Sequence, residues 1–387
     1  MVQQRIKLGG VIMNTIYLDN AATTPLTPQV KQYIIELLDQ YANPSSLYQS
    51  GVDARQIIEQ ARSNVAKFIN GKSDNIIFTS SGSASNSLVI KGLTSENVQL
   101  NKYNVFYSPT AHKSMIKACK SCLYSVPLIV SKTGRINLSY LNNILKNEIL
   151  KPLVCVEAAN SEIGTINDIQ NIADIVHKYD GLILVDVTGY IPCMEVDMNK
   201  WRNIDFVTFS GHKLHALKGV GVVYKNTNAK LKPLVYGSQE NGLFSGTENI
   251  LGISSLGKAV ENYDYSYISS KNRDYVYDYI IKNIPNSYLV GAPFEYRLPH
   301  NLYMCFQGIQ GESLMILLDM NGIQVSTGSA CASGDLQPSS TLTAIRMNDN
   351  DIHSCIRLTF NNESVEDINY VCETLKKCVE QLRNYSN

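Results

Sequence analysis

From Ile76 to Tyr224 the chain alternates short apolar runs with amphipathic stretches, and few folds accommodate that rhythm. The runs are NIIFTS, NVFYSP, PLVCVEAAN, LILVDVTG, IDFVTFSG and GVGVVYK; the amphipathic segments include NLSYLNNILKN and DIQNIADIVHKY. Short, continuously apolar strands separated by helices predict an α/β fold whose mainly parallel sheet is covered on both faces. Ligands of such sheets bind at the carboxyl ends of the strands. Chemistry-bearing residues that directly follow an apolar run are therefore the first candidates for a site.

After about Gly252 the pattern mixes strands and helices more evenly. It predicts a helix near residues 270–284, a strand at HNLYMCF, a helix at GESLMILLDMNG, a strand at SCIRLTF and a final helix from Val365 to Leu382. A smaller α+β domain accounts for this change. The chain has 387 residues, and single cores stop growing at roughly 250–300 residues, so two domains are expected.

Lysine plus arginine equals aspartate plus glutamate at 34 each, so no charge surplus points to nucleic acid or to an anionic membrane. The N-terminus carries no apolar core of signal-peptide length, and no stretch is long enough to span a bilayer. A cytoplasmic location and a small-molecule substrate are the expectation. Nine cysteines are then expected to be thiols. Cys119 and Cys122 form a C-x-x-C pair without a second pair at zinc-site spacing, so no metal is expected there. Cys155, Cys193, Cys305, Cys355, Cys372 and Cys378 lie in apolar segments and read as core.

Three signals follow strands. FTSSGSASNS ends a run in Ser80, Ser81, Gly82 and Ser83 where a helix begins, a combination that cradles phosphate through backbone N–H groups and the helix dipole. LILVDV places Asp186 where a carboxylate can pair with a protonated pyridine nitrogen. TFSGHK places Lys213 where an amine either snorkels at a sheet edge or serves Schiff-base chemistry. A fourth signal, VSTGSACASGD, sets Cys331 among glycines and small polar residues, the setting of a reactive thiol or of an incidental surface cysteine. Neither a P-loop nor a complete G-x-G-x-x-G occurs, which disfavours a nucleotide cofactor.

Taken with YLDNAATTP, AHK, NSEIG, SGT and STGSACAS, this order resembles the cysteine desulfurases of the NifS/IscS type. These are class V, fold type I pyridoxal-phosphate enzymes. The resemblance implies a large domain over residues 26–261 built on a seven-stranded sheet, with a small domain over 14–25 and 262–387. It implies that Lys213 holds pyridoxal phosphate covalently, that Asp186 binds the ring nitrogen, and that His112 stacks on the ring and assists proton transfer. Gly82, Ser83, Ser210, His212 and Thr247 would hold the phosphate, with Thr247 supplied by a second subunit of a homodimer. Ser161 would contact the cofactor, while Asn20, Ala21, Ala22, Asn160 and Arg357 would bind the substrate, L-cysteine. Cys331 would receive its sulfur as a persulfide, releasing alanine, and pass it to an acceptor protein for iron–sulfur cluster assembly, tRNA thiolation or another modification.

The chain differs from that family pattern at Tyr48, Ala84, Ser87, Ala111, Ser161, Gly189 and Phe244. The short C-terminus leads us to expect an acceptor other than an iron–sulfur scaffold. Two alternatives remain: a related lyase or aminotransferase, for example on selenocysteine, in which Cys331 is dispensable, and a degenerate relative serving as an interaction platform.

Overall fold

The structure is a computed structural model that describes residues 5–8, 11–266, 268–328 and 339–386. Two strands, β1 (Arg5–Leu8) and β2 (Val11–Asn14), pair as an antiparallel hairpin, and β3 (Ile16–Tyr17) follows. The central sheet is built from β4 (Ile76–Thr79), β5 (Tyr103–Tyr107), β6 (Ser125–Pro127), β7 (Lys151–Glu157), β8 (Leu182–Asp186), β9 (Phe206–Ser210) and β10 (Gly221–Lys225). Its order is β4-β10-β9-β8-β7-β5-β6. Only β10 runs against the rest, pairing antiparallel with both β4 and β9, so the sheet is mainly parallel as expected.

Each strand of this sheet splits its residues between two buried faces. Val154 and Val156 of β7 pack with Phe106, Val185, Phe209 and Val222 on one side. Leu153 and Cys155 pack with Val105, Leu184, Phe206 and Val223 on the other. Helices cover both faces because side chains on a strand alternate and neither face can remain wet. The helix Ile169–Lys178 shows how locally this is encoded. The Asp168 side chain caps it by accepting from the Asn171 N–H, and Ile169, Ile172, Ala173 and Val176 form one buried stripe.

The C-terminal part carries a three-stranded antiparallel sheet in the order β11 (Ser287–Leu289), β12 (Asn301–Phe306), β14 (Cys355–Thr359). Its core joins Leu302, Met304 and Phe306 with Ile356, Leu358, Val371 and Leu375. Ile16 and Leu18 belong to this same core, and β3 pairs in parallel with β13 (Ile323–Gln324). The expected helices appear as Lys271–Asn283, Gly311–Met320 and Val365–Ser386. Strands β6, β11 and β13, each of two or three residues, had no readable run in the sequence. So short a segment carries no periodicity of its own and is held by its neighbours. Among the described residues no helix is long and apolar enough to cross a membrane.

Candidate active site

The parallel strands end on one side of the sheet, and the chain segments leaving them build the site. At the end of β4, the Ser81 side chain caps the helix Gly82–Leu93 by accepting from the Ala84 N–H at 3.1 Å. This twelve-residue helix presents unpaired N–H groups beside Gly82 and the exposed Ser83. A Cβ on Gly82 would lie 3.2 Å from the Ser210 Cβ and 3.5 Å from the Thr188 Oγ1, so the glycine keeps three potential phosphate donors close together. Gly221 packs against Ser81 where a Cβ would come within 2.3 Å of its backbone, holding this corner shut.

At the end of β8, Asp186 is buried and fixed from two directions. Asn86 Nδ2 donates to Oδ2 at 2.8 Å, and the Thr188 N–H donates to Oδ1 at 2.9 Å. Thr208 of β9 orients Asn86 by donating its hydroxyl to Oδ1 at 2.6 Å. A carboxylate fixed in this way is suited to pairing with a pyridinium nitrogen. His112 caps the helix Lys113–Lys120, with Nδ1 2.8 Å from the Ser114 hydroxyl. Its ring is partly exposed, yet the surrounding protein removes enough water to lower its pKa, against the pull of Asp186 and with a push from Lys213.

Lys213 sits in a single turn, Gly211–Lys213, after β9. Burial and, after it, the Arg357 charge pull its pKa from 10.5 down to about 8, against the opposing pull of Asp186, Asp19 and Cys193. The neighbouring His212 is pushed down to about 4 by burial and by the Lys213 charge, and its Nδ1 lies 3.1 Å from the Thr23 hydroxyl. Lys213, Asn20, Ala21, Ser161 and Gly189 line one cleft. Asn20 reaches back to donate to the Thr359 carbonyl at 2.7 Å, and the Ala21 N–H donates to the Thr359 hydroxyl at 3.0 Å. Ala22 is exposed beside them.

Arg357, on β14, is buried. It donates through Nη1 to the Ser161 carbonyl at 2.9 Å and through Nη2 to Asp19 Oδ1 at 2.6 Å, while Nε is buried and without a partner. A guanidinium oriented by two such bonds, with donors to spare, is suited to a carboxylate.

The Asn160 side chain is bonded to the backbone around it. Its Nδ2 donates to the Thr110 carbonyl at 2.6 Å, and its Oδ1 accepts from the Glu162 and Ile163 N–H groups at 2.9 and 2.8 Å. Both ends of the amide are committed to the backbone, so this side chain shapes the turn that presents Ser161. Thr247 is exposed on a segment whose bonds run elsewhere, with the Ser245 N–H donating to the Val235 carbonyl and the Gly246 N–H to Gln239 Oε1. Cys331 lies outside the described residues.

Two of the unusual positions turn out to face each other. A Cβ on Gly189 would lie 3.3 Å from the Ser161 Cβ and 3.1 Å from the Ala159 carbonyl, so a longer residue at 189 would crowd the serine. Cys193, expected as plain core, is buried but lines the cleft, its sulfur 3.0 Å from Nδ1 of His300. Burial pushes the Cys193 thiol well up and the His300 imidazole down to about 3, so the pair is neutral. Asn86, Thr208, Thr188, Asp19 and His300 were not singled out by the sequence. The clearest available signal was Asn86, the one amide in the helix 82–93.

The donor set fits pyridoxal phosphate: a glycine-opened helix end with serines, a fixed buried carboxylate, and a lysine with a lowered pKa. The Aminotransferase class-V family profile matches residues 16–371. The chain is 36% identical over 384 residues to cysteine desulfurase IscS of Dictyoglomus turgidum, covering 96% of both proteins. It is also 36% identical over 388 residues to cysteine desulfurase IscS 1 of Archaeoglobus fulgidus, covering 96% of this chain and 98% of that one. Among solved structures, a NifS-like protein superposes with a TM-score of 0.86 at 27% identity, covering 95% of this chain and all of the other. SspA in complex with cysteine superposes with a TM-score of 0.78 at 26% identity, covering 91% of this chain. The chain belongs to the class-V aminotransferase family of fold type I, pyridoxal-phosphate-dependent enzymes.

Proposed function

We propose that this protein is a cysteine desulfurase: L-cysteine and the Cys331 thiol give L-alanine and a Cys331 persulfide. The observation that carries the reading is that Lys213 and Ser161 line one cleft while Arg357 donates to the Ser161 carbonyl, near enough for its charge to depress the Lys213 amine. Its chemistry is that of an α-amino acid site, and the curated relatives named above act on cysteine.

When bound, pyridoxal phosphate supplies an electron-withdrawing ring that makes the Cα–H of an amino acid acidic and its C–S bond labile. Gly82, Ser83, Ser210 and His212 would hold the phosphate, and Asp186, braced by Asn86, would hold the ring-nitrogen proton. His112 would lie over the ring, with Ser161 beside it. Arg357 would bind the substrate carboxylate, with Asn20 and Ala21 lining the same cleft as Lys213. Lys213 Nζ takes the Cα proton and returns it to the carbon skeleton that leaves as alanine; a pKa near 8 leaves an appreciable fraction of the amine free at neutral pH. The Cys331 sulfur attacks the substrate sulfur, the C–S bond breaks with its electron pair moving to carbon, and no external oxidant is required.

The same reading divides the chain into a large domain over 26–261 and a small one over 14–25 and 262–387. The packing of Ile16 and Leu18 with the C-terminal core supports that division. It further gives a homodimer in which Thr247, exposed in the single chain, completes the partner subunit's phosphate site. A sulfur-acceptor protein and a cytoplasmic location complete it; the eight described cysteines are all free thiols, which favours a reducing compartment.

The test is alanine released from L-cysteine in the presence of a thiol reductant by the wild type, Cys331→Ser and Lys213→Ala. Release by the wild type alone is the expected result. Release that survives Cys331→Ser would instead make the protein a lyase that does not use this thiol.

A further inference from the structure

Thr327 and Gly328 precede segment 329–338, which contains Cys331, and Ser339 follows it. Both roots meet at one buried carboxylate. Glu162 accepts from the Ser339 hydroxyl through Oε2 at 2.7 Å and from the Tyr303 hydroxyl through Oε1 at 3.1 Å. Tyr303, wholly buried on β12, has its hydroxyl also 2.9 Å from the Thr327 carbonyl, so its single proton is shared between the Glu162 carboxylate and the first root. Gly328 has φ +84°, and a Cβ there would lie 2.7 Å from both Glu162 Cγ and the Tyr303 ring. The first root is therefore pressed onto the same two side chains that bind the second.

Glu162 is itself fixed. Its N–H donates to Asn160 Oδ1, and its carbonyl accepts from Asn301 Nδ2 at 3.1 Å. Burial raises its pKa, and bonds from Ser339, Thr341 and Tyr303 together with the Arg357 charge oppose that rise. A buried carboxylate costs free energy unless its oxygens are satisfied; here one satisfying group, Ser339, is the second root, and the other, Tyr303, also contacts the first root at Thr327. Nothing in the amino-acid chemistry proposed above requires this network.

We propose that Glu162 is a positioning residue that ties the two roots of segment 329–338 together, through Ser339 directly and through Tyr303 to Thr327, and so sets the rate at which Cys331 takes sulfur. The inference rests on the desulfurase reading. Joining the ends of a segment lowers the entropy lost when a residue within it must reach a fixed point, and a misplacement of about 1 Å can cost about a hundredfold in rate. The carboxylate contributes to that step without touching the reacting atoms.

The experiment mixes pyridoxal-phosphate-loaded, full-length enzyme with excess L-cysteine and follows two signals in a single turnover. One is the cofactor absorbance change on amino-acid binding; the other is the Cys331 persulfide, trapped by alkylation and measured by mass spectrometry. Glu162→Ala risks misfolding, so the variants are Tyr303→Phe and Ser339→Ala, each deleting one hydroxyl, with Ser339→Thr as the conservative rescue. Persulfide formation is expected to slow about 10- to 100-fold in the first two, with the absorbance phase within about twofold of wild type and Ser339→Thr near the wild-type rate. Amide exchange at Thr327, Gly328 and residues 339–341 is expected to quicken in both deletion variants.

Persulfide formation at the wild-type rate in both variants would overturn the proposal, as would equal slowing of both phases. A wild type that forms no persulfide on Cys331 would remove the desulfurase reading. The tie between the roots would then stand or fall on amide exchange alone, supported if both roots quicken together and overturned if neither does.

Discussion

Arg357 and Asp19 meet across 2.6 Å, joining the C-terminal sheet to the N-terminal segment that carries Asn20 and Ala21. The pair is more than a tether. Asp19 occupies one donor of the guanidinium, the Ser161 carbonyl occupies another, and Nε stays buried without a partner. A substrate carboxylate meets an arginine already oriented, so little is lost in ordering it.

Arg357→Lys should therefore raise KM for L-cysteine by about 10- to 100-fold while changing kcat less, because an ammonium cannot reproduce the planar fork of donors. Steady-state alanine release over a range of cysteine concentrations checks this. A larger loss in kcat than in KM would show that the guanidinium acts on the reaction rather than on binding.

The bond from Asn86 to Asp186 should be felt as cofactor retention. Asn86→Leu keeps the volume and deletes a charge-assisted hydrogen bond worth about 1.5–3 kcal/mol, so pyridoxal phosphate should be lost about 10- to 100-fold more readily. Dialysis followed by the absorbance of the remaining bound cofactor measures it. Thr208→Val, which only frees the amide to turn, should show the same effect in smaller degree.

Lys213 has a pH signature with a defined sign. Between its native value of about 8 and its ordinary 10.5, the unfolded chain binds more protons than the native one, so this group makes the cofactor-free protein more stable as pH rises through that window. Below it, the native state carries a buried cation at a cost. Lys213→Met should accordingly raise the melting temperature of the cofactor-free protein at pH 7 and shrink the gain between pH 8 and 10; thermal melts at three pH values decide it.

His300 works in the acid range. Its native pKa of about 3 lies below the ordinary 6.5, so its contribution to stability is present above 6.5 and is lost as pH falls towards 3. His300→Gln should lose less stability than the wild type between pH 6.5 and 4. A histidine resonance that titrates near 6.5 in the native protein and is assigned to His300 would contradict this.

Much of the fold was legible because its signals are local. Strands β4, β5, β7, β8, β9 and β10 each carry a continuous apolar run, and the helices between them have their own caps and stripes. Gly82, Asp186, Ser210 and Lys213 were readable for the same reason: each directly follows a strand that feeds the same edge of the sheet. The residues that brace the site were not readable. Asn86 is separated from Asp186 by 100 positions, Asp19 from Arg357 by 338, Cys193 from His300 by 107 and Glu162 from Ser339 by 177.

The sequence by itself determined the doubly covered sheet, the order of cradle, aspartate and lysine, and through them the family. Only the tertiary structure decided that Asn160 is spent on the backbone, that Cys193 faces the cleft beside a neutral histidine, and that one carboxylate holds both roots of the Cys331 segment. Periodicity and capping act over a few residues and leave their mark in the string of letters. A hydrogen bond between distant side chains depends on where packing brings them, and nothing in either residue's neighbours announces the other.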